Sequence, residues 1–199
     1  MKVVLASKNQ HKLEEIQTIL SKYEMELVLQ STLGVDIDVD ETGTSFEENS
    51  LLKAQAVMEA TGLPAIADDS GLSVDALDGA PGIYSARYGG EQYVTDRDRL
   101  ELLLKNMAGV PDGARTARFV CVITLLFPDG RKYVARGTCE GEITRQAAGQ
   151  SGFGYDPVFF VPDEGCTFAQ MGSDRKNAIS HRSNALRRLC EMLDGEEGK

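Results

Sequence analysis

At 199 residues, with 42% hydrophobic and 26% charged residues, the chain has the composition of a globular protein able to bury one substantial core. Its formal net charge of −10 opposes binding to a nucleic-acid polymer, which relies on many Lys and Arg contacts to phosphates, but permits a small polyanion where local cations or a metal reverse the field. Four cysteines without a CxxC pair, beside only two histidines, His11 and His181, argue against zinc and for reduced thiols in a cytoplasmic setting.

In chain order, Val3, Val4 and Leu5 form an apolar run that stops at Ser7, Lys8 and Asn9, after which Leu13, Ile16 and Leu20 recur at helical spacing. Strand, polar loop and helix are expected. The opening run is too short for a signal peptide and no apolar stretch reaches membrane-spanning length, so a soluble protein with no membrane partner is expected. A short strand from Met25 to Leu29 precedes an acidic, turn-like stretch from Asp36 to Gly43. Thr44 and Ser45 each stand three residues before a glutamate, Glu47 and Glu48, and these overlapping capping boxes predict a helix to about Thr61, ended by Gly62 and Pro64. Ala65, Ile66 and Ala67 then read as a strand that breaks into Asp68 and Asp69, with Leu72, Val74 and Ala76 alternating as the next. Residues 78–91, rich in glycine around Tyr84, Arg87 and Tyr88, read as a loop.

Thr95 caps a helix with Leu100, Leu103, Leu104 and Met107 on one stripe. Arg118 to Phe127 alternates as a long strand, Pro128, Asp129 and Gly130 mark a turn, and Lys132 to Glu140 returns as the hairpin partner. A Gly-rich loop, a strand from Val158 to Val161 and a helix carrying Leu186, Leu189, Cys190 and Leu193 follow. This order predicts an α/β class with a mixed, twisted sheet in one domain over residues 1–199.

Five groups carry candidate chemistry. Ser7, Asn9 and Lys12 lie between the first strand and helix, where free N–H groups, the helix dipole and a lysine suit an anion; a helix cap with a solvated lysine is the plainer alternative. No GxxxxGK[ST] phosphate loop occurs. The acidic run Asp36, Asp38, Asp40 and Glu41, with Glu47, imitates calcium-loop spacing, but Glu41 stands where that loop needs glycine, so a solvated loop is preferred. Asp68 and Asp69 are costly together unless a cation offsets them, and their hard oxygens suit magnesium. On a strand they point to opposite faces, so one can bind metal while the other orients water or a lysine; a capped turn is the alternative.

The segment Ser151 to Pro157 presents Phe153, Tyr155 and Asp156 between glycines, a set able to grip a flat heterocycle or simply to anchor a loop. Lys176 and Ser180 stand four apart, at one-face helical spacing, next to His181 and Arg182. Cations near a helix start oppose its dipole unless an anion or a carbonyl-rich base binds there, although His181 alone reads as an ordinary histidine. GxSxG is absent, which leaves a serine nucleophile without support.

Taken together, Ser7-x-Asn9-x-x-Lys12, the Asp68, Asp69, Ser70, Gly71 segment, Phe153 to Asp156, and Lys176 with Ser180, His181 and Arg182 resemble the inosine triphosphate pyrophosphatase family across nearly the whole chain. The resemblance implies an elongated two-lobed α/β fold around a central substrate cleft, a homodimer, and hydrolysis of ITP, dITP or XTP to monophosphate and pyrophosphate with Mg2+. It implies phosphate contacts from the loop Ser7, Lys8, Asn9, Gln10, His11 and Lys12 and from Lys53, metal binding by Glu41 and Asp69, and catalysis by Asp69 with Asp68 in support. Ser70, Phe153, Gly154, Tyr155, Asp156, Lys176, His181 and Arg182 then face base and ribose. At Lys8 the family often has glycine, so the chain departs from it there. A nucleotide-binding regulator without turnover and a metal-binding structural domain are the rival classes, separated from the enzyme by a product assay.

Overall fold

The apolar runs and amphipathic segments become strands β1 (Lys2–Leu5), β2 (Glu26–Leu29), β3 (Ala65–Val74), β4 (Thr116–Leu126), β5 (Lys132–Ile143), β6 (Phe159–Val161) and β7 (Cys166–Thr167). The helices are α1 (Gln10–Leu20), α2 (Phe46–Thr61), α3 (Asp96–Asn106), α4 (Ser173–Ile179) and α5 (His181–Glu197). The computed structural model describes residues 1–197; the side chains of His11, Glu196 and Glu197 lie outside the described residues.

The strands form one sheet in the order β2-β1-β3-β4-β5-β6-β7. β1 runs parallel to β2 and β3, because the connections out of β1 and β2 cross over through α1 and α2. β6 is antiparallel to both β5 and β7, so the sheet is mixed as expected. The hairpin turn also forms: the Phe127 N–H donates to the Arg131 carbonyl at 2.9 Å between β4 and β5.

The chain divides into two compact units, and the division falls after Asp69 in β3, after Val120 in β4 and after Gly137 in β5. Unit 1 comprises Met1–Asp69, Cys121–Gly137 and the chain from Asn184 onward; unit 2 comprises Ser70–Val120 and Thr138–Ser183. In unit 1, Val3, Leu5 and Ile66 point to a core shared with Ile16 and Leu20 of α1 and with Leu186 and Leu189 of α5. Val4, Ala65 and Ala67 point the other way, toward Ala54 and Val57 of α2. Each fully buried Leu or Ile there contributes about 2 kcal/mol. This period-2 alternation decides the site, since it sends residue 68 to the α1 side of β3 and residue 69 to the α2 side.

Unit 2 closes over Leu72, Val74, Leu100, Leu103, Met107, Phe119, Ile143, Phe159 and Phe168. Arg115, only 5% exposed, is satisfied by the carbonyls of Ile143, Met107, Val110 and Thr144 at 2.6 to 3.1 Å. Thr95 caps α3 with a full capping box to Asp98.

Three local expectations are corrected. The apolar strand does not break at Asp68 and Asp69 but continues to Val74, because each carboxylate meets a lysine instead of solvent. Ala76 consequently falls outside it, in a 3-10 turn, and part of the 78–91 loop also winds into a 3-10 segment at Gly82–Arg87. Lys176 and Ser180 do not share one helix face: Ser180 is extended, with ψ 155°, and its Oγ accepts the Ser183 N–H at 3.2 Å, so it ends α4 and caps α5. Lys176 thereby lies in the last turn of α4, the end where the dipole favours a cation.

Candidate functional site

In unit 1, alternation along β3 gives each aspartate its own lysine. Lys12 of α1 donates to both oxygens of Asp68, at 2.7 and 2.9 Å. Lys53 of α2 donates to Asp69 Oδ1 at 2.8 Å and to Glu41 Oε1 at 2.7 Å. Asn49, four residues before Lys53 on the same face of α2, donates to Asp69 Oδ2 at 3.4 Å and accepts the Gly43 N–H at 2.9 Å. Both aspartates are buried.

The first loop is organised around the start of α1. Asn9 caps the helix through Oδ1 to the Lys12 N–H at 3.3 Å, and Ser7 Oγ accepts the Asn9 N–H at 3.1 Å. Lys8 is exposed and pairs with Asp36 at 2.7 Å, while Gln10 reaches along its own helix to Glu14 at 3.2 Å. The expected position of the His11 side chain lies outside the described residues. Capping and anion binding are compatible here, because the cap consumes one N–H of the first turn.

The electrostatics of this cluster follow from charge counting: two carboxylates, Glu41 and Asp69, share one ammonium. Burial opposes the charge on Lys53, but Asp69 and Glu41 outweigh it and raise its pKa. Burial pushes Asp69 up to about 6; Lys53 and the Asn49 amide pull it back, whereas the Glu41 charge adds to the rise. Lysine and aspartate are thus both raised, Asp69 by its burial first and Lys53 by the two carboxylates it binds. Glu41 Oε1 and Asp69 Oδ1 already converge on a single cation, and two carboxylates are a donor set for a hard divalent ion that takes its other ligands from phosphate and water. Among the described residues no cluster of three or more Asp, Glu, His or Cys side chains could hold a metal by itself.

In unit 2, the loop before β6 is pinned at three points. Asp156, buried, accepts the Phe153 N–H at 2.9 Å and the Lys176 ammonium at 2.5 Å. The Gly154 N–H donates to Asp96 at the start of α3 at 2.9 Å, and the Tyr155 hydroxyl donates to the Ser85 carbonyl at 2.9 Å. Of the aromatic pair, Phe153 presents its ring to solvent, 67% exposed, while Tyr155 is buried as an anchor, and burial raises its pKa. Lys176 sits 5.1 Å over the Phe153 ring and 5.3 Å over Phe168, so the cation, Asp156 and the exposed ring form one group. His181 is buried and stacks on Phe119 at 4.9 Å; Arg182 follows it, half-buried, in the first turn of α5. Ser70, half-buried, directly follows Asp69 in β3.

The structure therefore gathers Lys12, Asp68, Glu41, Lys53 and Asp69 in unit 1, and Phe153 to Asp156 with Lys176 in unit 2. Two members were not singled out in the sequence. Asn49 has a readable signal, its spacing of four from Lys53, but Asp96 looks like any acidic first-turn residue. An open groove in unit 2 lined by Tyr84, Arg87, Tyr88, Tyr93, Val94 and Arg99 contains none of the candidate residues.

The Ham1 family matches residues 3–192 of the chain. A dITP/XTP pyrophosphatase of Salmonella paratyphi A is 53% identical over 194 residues, which cover 96% of this chain and 98% of that protein. Among solved structures, the Ham1 protein of Staphylococcus aureus superposes with a TM-score of 0.91 at 44% identity, covering 98% of this chain and 100% of its own. A HAM1 protein from Coxiella burnetii gives the same TM-score, 0.91, at 42% identity, covering 98% and 99%. A family match across nearly the full length and relatives of this similarity place the chain in the Ham1 family.

Proposed function

We propose that this chain hydrolyses non-standard purine nucleoside triphosphates, ITP, dITP and XTP, to the monophosphate and pyrophosphate, and so clears them from the nucleotide pool. The observation that carries the reading is the pairing of Lys12 with Asp68 and of Lys53 with Glu41 and Asp69 from the two sides of β3, in a chain 53% identical to a dITP/XTP pyrophosphatase. Residues 1–199 act as one catalytic domain, cytoplasmic and homodimeric, with Mg2+ held by Glu41 and Asp69. When bound, magnesium supplies charge withdrawal from the phosphate oxygens.

Asp69 orients a water for in-line attack at the α-phosphorus and takes its proton. Lys53, with Lys12, offsets the negative charge of the departing pyrophosphate. Asp68 keeps the Lys12 ammonium oriented through both of its oxygens. Ser7, Lys8, Asn9, Gln10 and His11 contribute phosphate contacts at the start of α1, where N–H groups and the helix dipole favour anions.

Phe153 stacks on the base, and Gly154, Tyr155, Asp156, Lys176, His181, Arg182 and Ser70 complete base and ribose recognition. A donor from Arg182 or a backbone N–H aimed at the purine 6-oxygen accepts hypoxanthine and xanthine and opposes the amino group of adenine, discrimination worth about 10⁴-fold when both donors are buried. Guanine shares the 6-oxygen, so a second contact at the 2-position separates GTP.

The test is incubation of the protein and Mg2+ with ITP, dITP, XTP, GTP and ATP in separate reactions, with identification of the products. Monophosphate plus pyrophosphate from the inosine and xanthosine nucleotides is expected. Orthophosphate alone, or no turnover of these substrates, rules the function out.

A further inference from the structure

We infer that Asn49 is a positioning residue for the reaction: its amide ties the acidic loop that carries Glu41 to the side chain of Asp69 and so sets the spacing of the two carboxylates. The inference rests on the catalytic reading above and extends it to a residue outside the reacting groups. Asn49 is fully buried in the first turn of α2. Its own backbone N–H is already bonded to the Ser45 carbonyl at 3.1 Å, and Ser45 Oγ caps the helix at the Glu48 N–H. An asparagine is a poor residue for a helix by about half a kcal/mol and an uncommon one in a core, and both features call for a specific use.

That use is legible in its partners. The orientation of the amide is forced: the Gly43 N–H can only donate, so it faces Oδ1 at 2.9 Å, and the Asp69 carboxylate accepts, so it faces Nδ2 at 3.4 Å. With Lys53 on Oδ1 and Asn49 on Oδ2, α2 holds both Asp69 oxygens from one face.

The loop side is equally constrained. A Cβ at Gly43 would lie 2.6 Å from Asn49 Oδ1 and 2.7 Å from Glu48 Cβ, so the loop backbone is pressed against this side chain. Beside it, the Thr44 N–H and hydroxyl donate to Glu48 Oε2 at 2.6 and 2.8 Å. Glu48 fixes the end of the loop to the helix, but Asn49 alone of these two also reaches Asp69. No simple replacement bridges the same gap. Aspartate keeps the acceptor and loses the donor, alanine loses both, and glutamine adds a methylene to a filled space.

The full-length chain with Asn49→Ala and with Asn49→Asp, assayed with dITP and Mg2+ and by amide hydrogen exchange, tests this. Asn49→Ala is expected to lower kcat about 100-fold while KM for dITP stays within about threefold, because misplaced catalytic groups cost rate more than affinity. Its Gly43 amide is expected to exchange about tenfold faster or more as the loop loses its tether. Asn49→Asp keeps the acceptor, so Gly43 stays protected while kcat still falls; this isosteric variant decides the matter if the alanine protein does not fold. A kcat within about threefold of the parent, a KM rise with kcat unchanged, or Gly43 exchange unaltered in Asn49→Ala overturns the inference. If the parent itself leaves dITP intact, the catalytic reading fails, and Gly43 exchange in the two variants alone decides whether Asn49 holds the loop.

Discussion

Replacing Asp69 by asparagine is expected to stabilise the metal-free protein while abolishing its activity. Burial raises this carboxyl from 3.8 to about 6, so the folded protein holds the proton more tightly than the unfolded chain does. The stability linked to it is complete below pH 3.8 and is lost as pH rises through about 6. At 1.36 kcal/mol per pH unit, the loss at neutral pH is up to about 3 kcal/mol. The side chain is 8% exposed, so solvent screening removes little of this. Asparagine imitates the protonated carboxyl in shape and charge, and Lys53 retains Glu41 as a partner. Urea melts of both proteins with a chelator, at about pH 7.5, 6 and 4, give the difference, because titrating groups away from Glu41 and Lys53 cancel between them. The variant should be more stable at the highest pH by up to about 3 kcal/mol, with the gap closing toward the lowest. In the same preparation, dITP hydrolysis should fall by about 10³-fold or more. A variant less stable than the parent near neutral pH would show that the Lys53 pairing outweighs burial, and full retained activity would remove Asp69 from the role of base.

Lys53→Met should act in the opposite direction, since it removes the ammonium that both Glu41 and Asp69 bind: a loss of about 3–5 kcal/mol in urea melts near neutral pH, shrinking as Asp69 takes up its proton in mild acid. Phe153→Ala removes an exposed ring and should leave stability within about 0.5 kcal/mol while raising the dITP KM roughly tenfold, read by steady-state kinetics. Ser180→Ala removes the cap of α5 and should cost about 1 kcal/mol in thermal or urea unfolding.

What could be read from the sequence was what local physics decides. The β4–β5 hairpin and the Thr95 cap of α3 depend on residues a few positions apart, and both formed. The opposite facing of Asp68 and Asp69 followed from strand alternation, and it directs them to Lys12 and Lys53. The length of β3 was not legible, because two adjacent aspartates signal a break unless lysines from α1 and α2, 56 and 16 residues away in sequence, arrive to neutralise them. Ser180 misled for a related reason: spacing of four suggests one face, but a serine that accepts a nearby N–H ends one helix and starts another. Tyr155 looked like a stacking surface because its loop is Gly-rich, and only its hydroxyl contact to Ser85 reveals an anchor.

The two sides of β3 differ in a way that bears on function. On the α1 side, Lys12 and Asp68 form a pair of matched charge with both carboxylate oxygens occupied, which needs nothing further. On the α2 side, Glu41 and Asp69 converge on the ammonium of Lys53, inside a partly dry setting where charge is expensive. Burial raises the Asp69 pKa, and the Glu41 charge adds to the rise. A protein selected for stability alone would relieve this cost with a neutral side chain at position 69, which is why the substitution that should strengthen the fold is also the one that should end catalysis. Under the proposed function that cost has a use: Glu41 and Asp69 would hold a divalent cation, whose charge would offset theirs, so relief of the cost would add to the binding of metal and triphosphate together.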